Sequence, residues 1–186
     1  MKIDESEKKE TLRMEMINKR KMLTKEQRKI ASEIVLKEIR NYSIMKYFKN
    51  IAIYYSLEEE INTIPIIKEL INNSKNVYLP KIQNDKSLSF YKIDDLTDVE
   101  FNNNLNIYEP KIENKNPLNL ENLDIIFVPT VAYDINNYRL GFGQGCYDRT
   151  LNMYNGMKVG IAFKILEVES IYPSLNDIRL DHIIAG

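Results

Sequence analysis

The sequence predicts an α/β fold: a three-layer sandwich with a largely parallel central sheet, helices on both faces, and an N-terminal helical pair packed on it. Three observations carry this. Short apolar runs at 51–55, 77–79, 124–128 and 159–163 read as strands, because unbroken rather than alternating hydrophobicity marks a strand covered on both faces. Segments with apolar residues three and four apart lie between several of them, the spacing of a helix with one buried face. Three of the six glycines fall at Gly141, Gly143 and Gly145, between a strand and a helical stretch, where α/β sheets place their ligand crevices.

The elements follow in order. The first fifty residues read as helix, with Leu12, Met16, Ile17 and then Ile30, Ile34, Leu36 and Ile39 at helical spacing and no Gly or Pro among them. Thr24 with Gln27 three residues on forms a capping box for the second helix. A strand over 51–55 precedes a helical segment at 61–73, whose apolar face carries Ile64, Ile67 and Leu70. The 77–79 strand is expected to stop at Pro80, and the alternation over 88–93 gives a third strand. Residues 94–122 are polar, rich in Asn and carry Pro110 and Pro117, so they read as a loop without regular structure. The 124–128 strand is expected to end at Pro129, a helix should run to about Tyr154, and 159–163 is the last strand. The expected organisation is one domain over 1–186, with helices in 1–48 and an α/β body in 50–186.

Bulk properties exclude several function classes. Twenty-six basic residues balance 27 acidic ones, for a formal net charge of −1, so no electrostatic footprint for nucleic acid is expected. The first residues carry no apolar run, and no stretch reaches the roughly 18 apolar residues of a membrane span. A cytoplasmic protein acting on small molecules as a monomer is expected. Cys146 is the sole cysteine, which rules out an internal disulfide and a multi-cysteine metal site. His182 is the sole histidine, which rules out multi-histidine zinc sites and iron facial triads; a solvated or core-edge histidine is expected there. Chemistry is left to carboxylates, lysines, arginines, backbone amides or a bound metal.

The stretch Arg139-Leu140-Gly141-Phe142-Gly143-Gln144-Gly145-Cys146-Tyr147-Asp148-Arg149 carries the chemistry. Glycines there let backbone amides approach a phosphate, and Arg139 and Arg149 offer forked donors to its oxygens. The Lys followed by Ser or Thr of a Walker loop is missing, and the spacing is not that of a dinucleotide fingerprint. Asp148 reads either as an arginine's partner or as a magnesium ligand, since magnesium in nucleotide sites takes one or two carboxylates plus phosphates. A second carboxylate is available from Asp177 or Asp181.

This stretch resembles the R-L-G-x-G-x-G-Y-Y-D signature of the 5-formyltetrahydrofolate cyclo-ligases. Lys9-Glu10-Thr11-Leu12-Arg13 is similar to the family's K-x-x-L-R, and Ser56…Glu60-Ile61-Asn62-Thr63 to its S-x-x-x-E-I-x-T. Val77–Lys81, Ile107–Pro110, 124–129, Tyr133-Asp134 and the tail Pro173…Asp177…Leu180-Asp181 match in order. The resemblance implies ATP- and Mg2+-dependent closure of 5-formyltetrahydrofolate to the 5,10-methenyl form, with phosphorylation of the formyl oxygen and attack by N10. It assigns ATP to Lys9, Arg13, Arg139, Gly141, Gly143, Gln144, Gly145, Cys146 and Tyr147. The folate falls to Tyr55, Glu60, Phe142, Gly143, Gln144, Gly145 and Cys146, catalysis to Arg139 and Gln144, and the metal to Asp148 and Asp177. Four positions depart from the pattern: Cys146 stands where the family has a first Tyr, Gln144 where it has Gly or Lys, Thr130 where it has Gly, and Leu166 where it commonly has Gln. The alternative from another class is a non-catalytic phosphometabolite sensor of similar architecture.

Overall fold

The computed structural model describes residues 4–113 and 115–186. Residues 1–3, part of the N-terminal reading above, and Asn114, inside the expected loop, lie outside the described residues.

Helix α1 (Glu5–Lys21) and helix α2 (Lys25–Asn41) open the chain. The capping box forms as expected. The Thr24 hydroxyl accepts from the Gln27 amide at 3.1 Å, and the Gln27 side-chain oxygen accepts from the Thr24 amide at 2.8 Å, satisfying two donors the helix leaves over. The buried stripe of α2 differs from the expected one. Ala31, Val35 and Ile39 face the sheet, whereas Ile30 and Ile34 are 49% and 44% exposed. The helix turns its smaller residues inward because the chain end comes very close: a Cβ on Gly186 would collide with the Ala31 backbone.

The central sheet has six strands in the order β11 (His182–Ala185), β9 (Met157–Ala162), β6 (Ile125–Pro129), β1 (Asn50–Ala52), β2 (Asn76–Ile82) and β3 (Leu88–Ile93). All neighbours are parallel except β2 and β3. Alternate residues of one strand therefore serve different layers. Ile125 and Phe127 pack with α1, α2 and α3 (Ile64–Asn72), while Ile126 and Val128 pack with Leu151 of α4 (Cys146–Leu151). That is the expected three-layer arrangement. From β1 the chain moves outward through β2 to β3, then returns to the other side of β1 with β6 and moves outward again. The reversal between β1 and β6 opens a crevice beyond their C-terminal ends.

Several expectations are corrected. Strand β2 runs through Pro80 to Ile82. Pairing with β1 ends at Ala52 and Tyr78, and the Tyr78 carbonyl points to that side, accepting from Ile53. Two residues on, the missing N–H of Pro80 points the same way, where no partner strand remains, so no ladder bond is lost. The 94–122 stretch is not a structureless loop. It holds a hairpin of β4 (Val99–Asn102) and β5 (Ile107–Pro110), with short 3-10 turns at Leu96–Asp98 and Leu120–Asn122. A second sheet of β10 (Glu167–Val168), β7 (Ala132–Asp134) and β8 (Arg139–Leu140) was not expected, and β10 and β11 make 159–163 not the last strand but the first of the last three. Strand β1 is shorter than the 51–55 run, and α4 ends at Leu151 rather than near Tyr154.

The two stripes of α2 are separable by experiment. Ile39→Ala, at a 4% exposed position, is expected to cost about 2–5 kcal/mol in urea unfolding. Ile34→Ala on the same helix is expected to stay within about 0.5 kcal/mol. Equal costs would contradict the packing described.

Candidate functional site

Beyond β1 the chain enters a tight loop that presents Glu60. Ser56 and Thr63 lock its ends reciprocally: the Ser56 amide donates to the Thr63 hydroxyl at 3.0 Å, and the Thr63 amide to the Ser56 hydroxyl at 3.1 Å. The Thr63 hydroxyl in turn donates to the Tyr54 carbonyl at 2.7 Å. Glu60 is thus held in a turn ahead of α3 and is not an acid of the helix's first turn; its carboxylate accepts from the Leu57 amide at 2.9 Å. Burial pushes the Glu60 carboxyl above its ordinary value, and the Leu57 amide and nearby Arg20 hold it back only in part.

The β7–β8 hairpin delivers Arg139. Its turn is pinned by Asp134, which accepts from the amides of Asn136 at 2.9 Å, Tyr138 at 3.1 Å and Ile171 at 3.2 Å. Arg139 leaves the hairpin 5% exposed, donates to Asp148 at 3.2 Å, and stacks its guanidinium 5.5 Å from the centre of the Tyr147 ring. Its Nε has no hydrogen-bond partner, an unusual state for a buried guanidinium. Gly141 permits this placement, since a Cβ there would stand 2.7 Å from Arg139 Nη1. Gly143 and Gly145 have φ of 95° and 68°, a region closed to most side chains.

Helix α1 closes the site from across the chain. Arg13 Nε donates to the Gly141 carbonyl at 2.9 Å, and Lys9 pairs with Asp177. Asp177 also accepts from the Ser174 hydroxyl at 2.8 Å, and Asp148 from the Ile178 amide at 3.3 Å. The result is a cavity of about 530 Å³ beyond the ends of β1, β2 and β6. Lys9, Arg13, Tyr55, Glu60, Arg139, the whole turn from Gly141 to Tyr147, Asp148 and Asp177 all line it. Every site residue the sequence singled out by the family resemblance is thereby brought together. Asp181 is not: it accepts from the Lys158 amide at 2.7 Å on another part of the surface. Arg149 bonds the Gln144 carbonyl at 2.7 Å and buttresses the turn from outside the cavity.

Sequence reading missed the roof. Leu105, Asn106, Ile107 and Tyr108 at the hairpin tip line the cavity, and Tyr108 packs on Tyr55 at 4.6 Å between ring centres. Glu109, 1% exposed, fastens the hairpin to β2 by accepting from the Ile82 amide at 3.1 Å, Lys81 at 3.2 Å and Asn102 at 2.8 Å. Two apolar-aromatic segments around an Asn-rich turn were the available signal.

Three cations and two carboxylates on one wall suit an anion that brings its own metal. Among the described residues no group of three or more His, Cys, Asp or Glu could hold a metal alone. Asp148 and Asp177 fit Mg2+, which takes one or two carboxylates and fills its shell with phosphate oxygens and water. Burial raises the Cys146 thiol, and the Tyr147 phenol still more strongly, so both are neutral near pH 7 and neither is a nucleophile in waiting.

Such a crevice belongs to an α/β enzyme that handles charged small molecules. The profile of the 5-formyltetrahydrofolate cyclo-ligase family matches residues 5–186. A 5-formyltetrahydrofolate cyclo-ligase of Haemophilus influenzae is 35% identical over 185 residues, covering 97% of this chain and 99% of its own. The NMR structure of Aquifex aeolicus 5,10-methenyltetrahydrofolate synthetase superposes with a TM-score of 0.83 at 32% identity, over 95% of this chain and 89% of that one. A Mycoplasma pneumoniae 5,10-methenyltetrahydrofolate synthetase shares the fold, with a TM-score of 0.77 at 24% identity over 95% and 97% of the two chains. The chain belongs to the 5-formyltetrahydrofolate cyclo-ligase family. The expected ligase class stands, and the sensor alternative is set aside. No helix among the described residues is long and apolar enough to cross a membrane.

Asp177 supplies a pH test. Burial pushes its carboxyl up, but the Lys9 ammonium and the Ser174 donors outweigh that and hold it below its ordinary value. A carboxylate depressed on folding stabilises fully above its unfolded value, about 3.9, and loses this as pH falls through the folded value. Asp177→Asn is expected to show a shallower fall in melting temperature than the wild type below about pH 4. Parallel curves would contradict the Lys9 pairing.

Proposed function

We propose that the protein converts 5-formyltetrahydrofolate to 5,10-methenyltetrahydrofolate with ATP, releasing ADP and phosphate. The observation that carries this reading is the buried Arg139 guanidinium with an unsatisfied Nε beside the glycine-rich turn. A phosphoryl oxygen arriving there would satisfy it with a charge-assisted bond, the strong kind.

A formamide oxygen is a poor leaving group, and phosphorylation removes that obstacle. The N5-formyl oxygen attacks the γ-phosphorus and ADP leaves. N10 then adds to the activated carbon and gives up its proton, and inorganic phosphate departs with the former formyl oxygen. Phosphoryl transfer asks a protein mainly for positioning and charge neutralisation. Lys9, Arg13 and Arg139 serve the triphosphate, with the amides of the turn at Gly143, Gln144 and Gly145, which line the same cavity, as further donors. Arg139 and Gln144 sit at the transferred group. Tyr55, Glu60 and Phe142 line the folate side, where Glu60 accepts from the donor edge of the pterin. Asp148 and Asp177 would hold Mg2+, which neutralises phosphate charge when bound.

On this reading α1 is part of the active site, and residues 1–48 and 50–186 act as one domain. The protein works as a cytoplasmic monomer on two small molecules, without nucleic acid. Purified protein given 5-formyltetrahydrofolate is expected to develop methenyl absorbance only with Mg-ATP. Arg139→Ala is expected to lower kcat at least about a hundredfold, the scale of removing a preorganised charge donor. Turnover unchanged by that substitution would refute the assignment of Arg139.

A further inference from the structure

Arg20, at the C-terminal end of α1, is 3% exposed and none of the steps above uses it. A buried guanidinium is normally saturated with hydrogen bonds. This one is not. Its Nε has no partner. Its terminal nitrogens stand 3.8 Å from Glu59 and 3.9 Å from Glu60, near enough for charge attraction and too far for good hydrogen bonds. Its Cζ lies over the Phe142 ring, 5.0 Å from the ring centre, in the glycine-rich turn. Arg20 therefore touches two walls of the cavity that are distant in sequence, the Glu60 loop and the turn. Lys9 and Arg13 reach the other contacts of the same helix: Asp177 and the Gly141 carbonyl.

We propose that Arg20 is a positioning residue for the folate: it aims the Glu60 carboxylate at the cavity and seats Phe142 against the same charge. The loose approach to Glu60 has a purpose on this account. A bidentate pair would consume both carboxylate oxygens, whereas here one is bonded to the Leu57 amide and the other, Oε1, keeps capacity for a ligand donor. A lysine would supply the charge but not the broad guanidinium that lies over Phe142. The groups facing Glu60 are Arg20 from α1, Glu59 on its own loop, and the Tyr54 and Tyr147 hydroxyls. Lys25, Arg28 and Lys29 of α2 share a neighbouring cavity of about 590 Å³ with it. Among the described residues Arg20 is the one cation in salt-bridge range of Glu60. Its loss therefore makes the Glu60 carboxylate harder to form.

This inference rests on the proposed folate reading and is tested on the full-length protein by steady-state kinetics against pH. Arg20→Met, close in length and neutral, is expected to raise KM for 5-formyltetrahydrofolate about tenfold while KM for ATP stays within about twofold. The acidic limb of kcat/KM for the folate should move about one unit toward higher pH, the direction expected when an acid loses its cation. Arg20→Lys should return that limb to the wild-type position while keeping a raised KM for the folate, and this variant carries the test by itself if the methionine side chain prevents folding. An active wild type whose Arg20 variants leave the folate KM and the limb unmoved overturns this inference and spares the folate reading. So does a variant in which both KM values rise together without a shift of the limb. A wild type that neither binds nor turns over 5-formyltetrahydrofolate overturns both.

Discussion

The site exists because one helix at the beginning of the chain is tied across the glycine-rich turn near its end. Arg13 Nε reaches the Gly141 carbonyl over 128 residues, and Lys9 reaches Asp177 over 168. The turn cannot hold its own shape, since its two left-handed glycines are the most permissive residues of the chain. Ordering them costs backbone entropy that the turn's few internal bonds do not offset. Arg13 from one side and the Arg149 bond to the Gln144 carbonyl from the other supply the missing restraint. Arg13 restrains the turn and lines the cavity as well, so the wall and part of its support are one structure.

Much of the family pattern is architecture that places chemistry rather than performs it. Thr63, Glu109 and Asp134 are at most 1% exposed. Each spends its oxygens on backbone amides or neighbouring polar groups: Thr63 closes the Glu60 loop, Glu109 anchors the roof, Asp134 pins the turn that presents Arg139. Removing either buried carboxylate would strand backbone amides without partners. A motif residue that is buried and fully bonded inside the protein is a poor candidate for touching substrate. One that is buried with an orphan atom, as Arg139 is, is a good one.

The central layers were legible in the sequence because strands covered on both faces must be continuously apolar, and 124–128 and 77–79 are. The helical pair was legible through its spacing and capping box, although the choice between Ile34 and Val35 was not, since both lie on apolar stripes of α2 and only the approach of the chain end decides. The roof hairpin escaped because β4 and β5 are four residues each and half-exposed, so no burial pattern distinguishes them from polar loop. Strands β7, β8 and β10 escaped for a related reason: with two or three residues each they are too short to show a period, and β10 finds its partner β7 far away in sequence. Pro80 misled because a proline ends a strand only where its missing donor would face a partner. The site residues were legible as a set through family resemblance alone. Nothing in the spacing of Lys9 and Arg13 distinguishes them from any solvated helix face.

Arg20 shows where that kind of reading stops. A basic residue in a helix already rich in Lys and Arg carries no sequence signal, and it matched no quoted motif. Its significance is three-dimensional. Among the cations of helix α1, those at positions 9, 13 and 20 reach in turn the C-terminal segment, the glycine-rich turn and the Glu60 carboxylate. A helix that grips all three parts fixes their spacing as a rigid body would. In the proposed reaction, the distance between the phosphoryl donor and the formyl oxygen is a quantity on which the rate depends steeply. On the proposed reading the N-terminal helix would serve less as a source of charge than as the ruler that sets the gap between the two substrates.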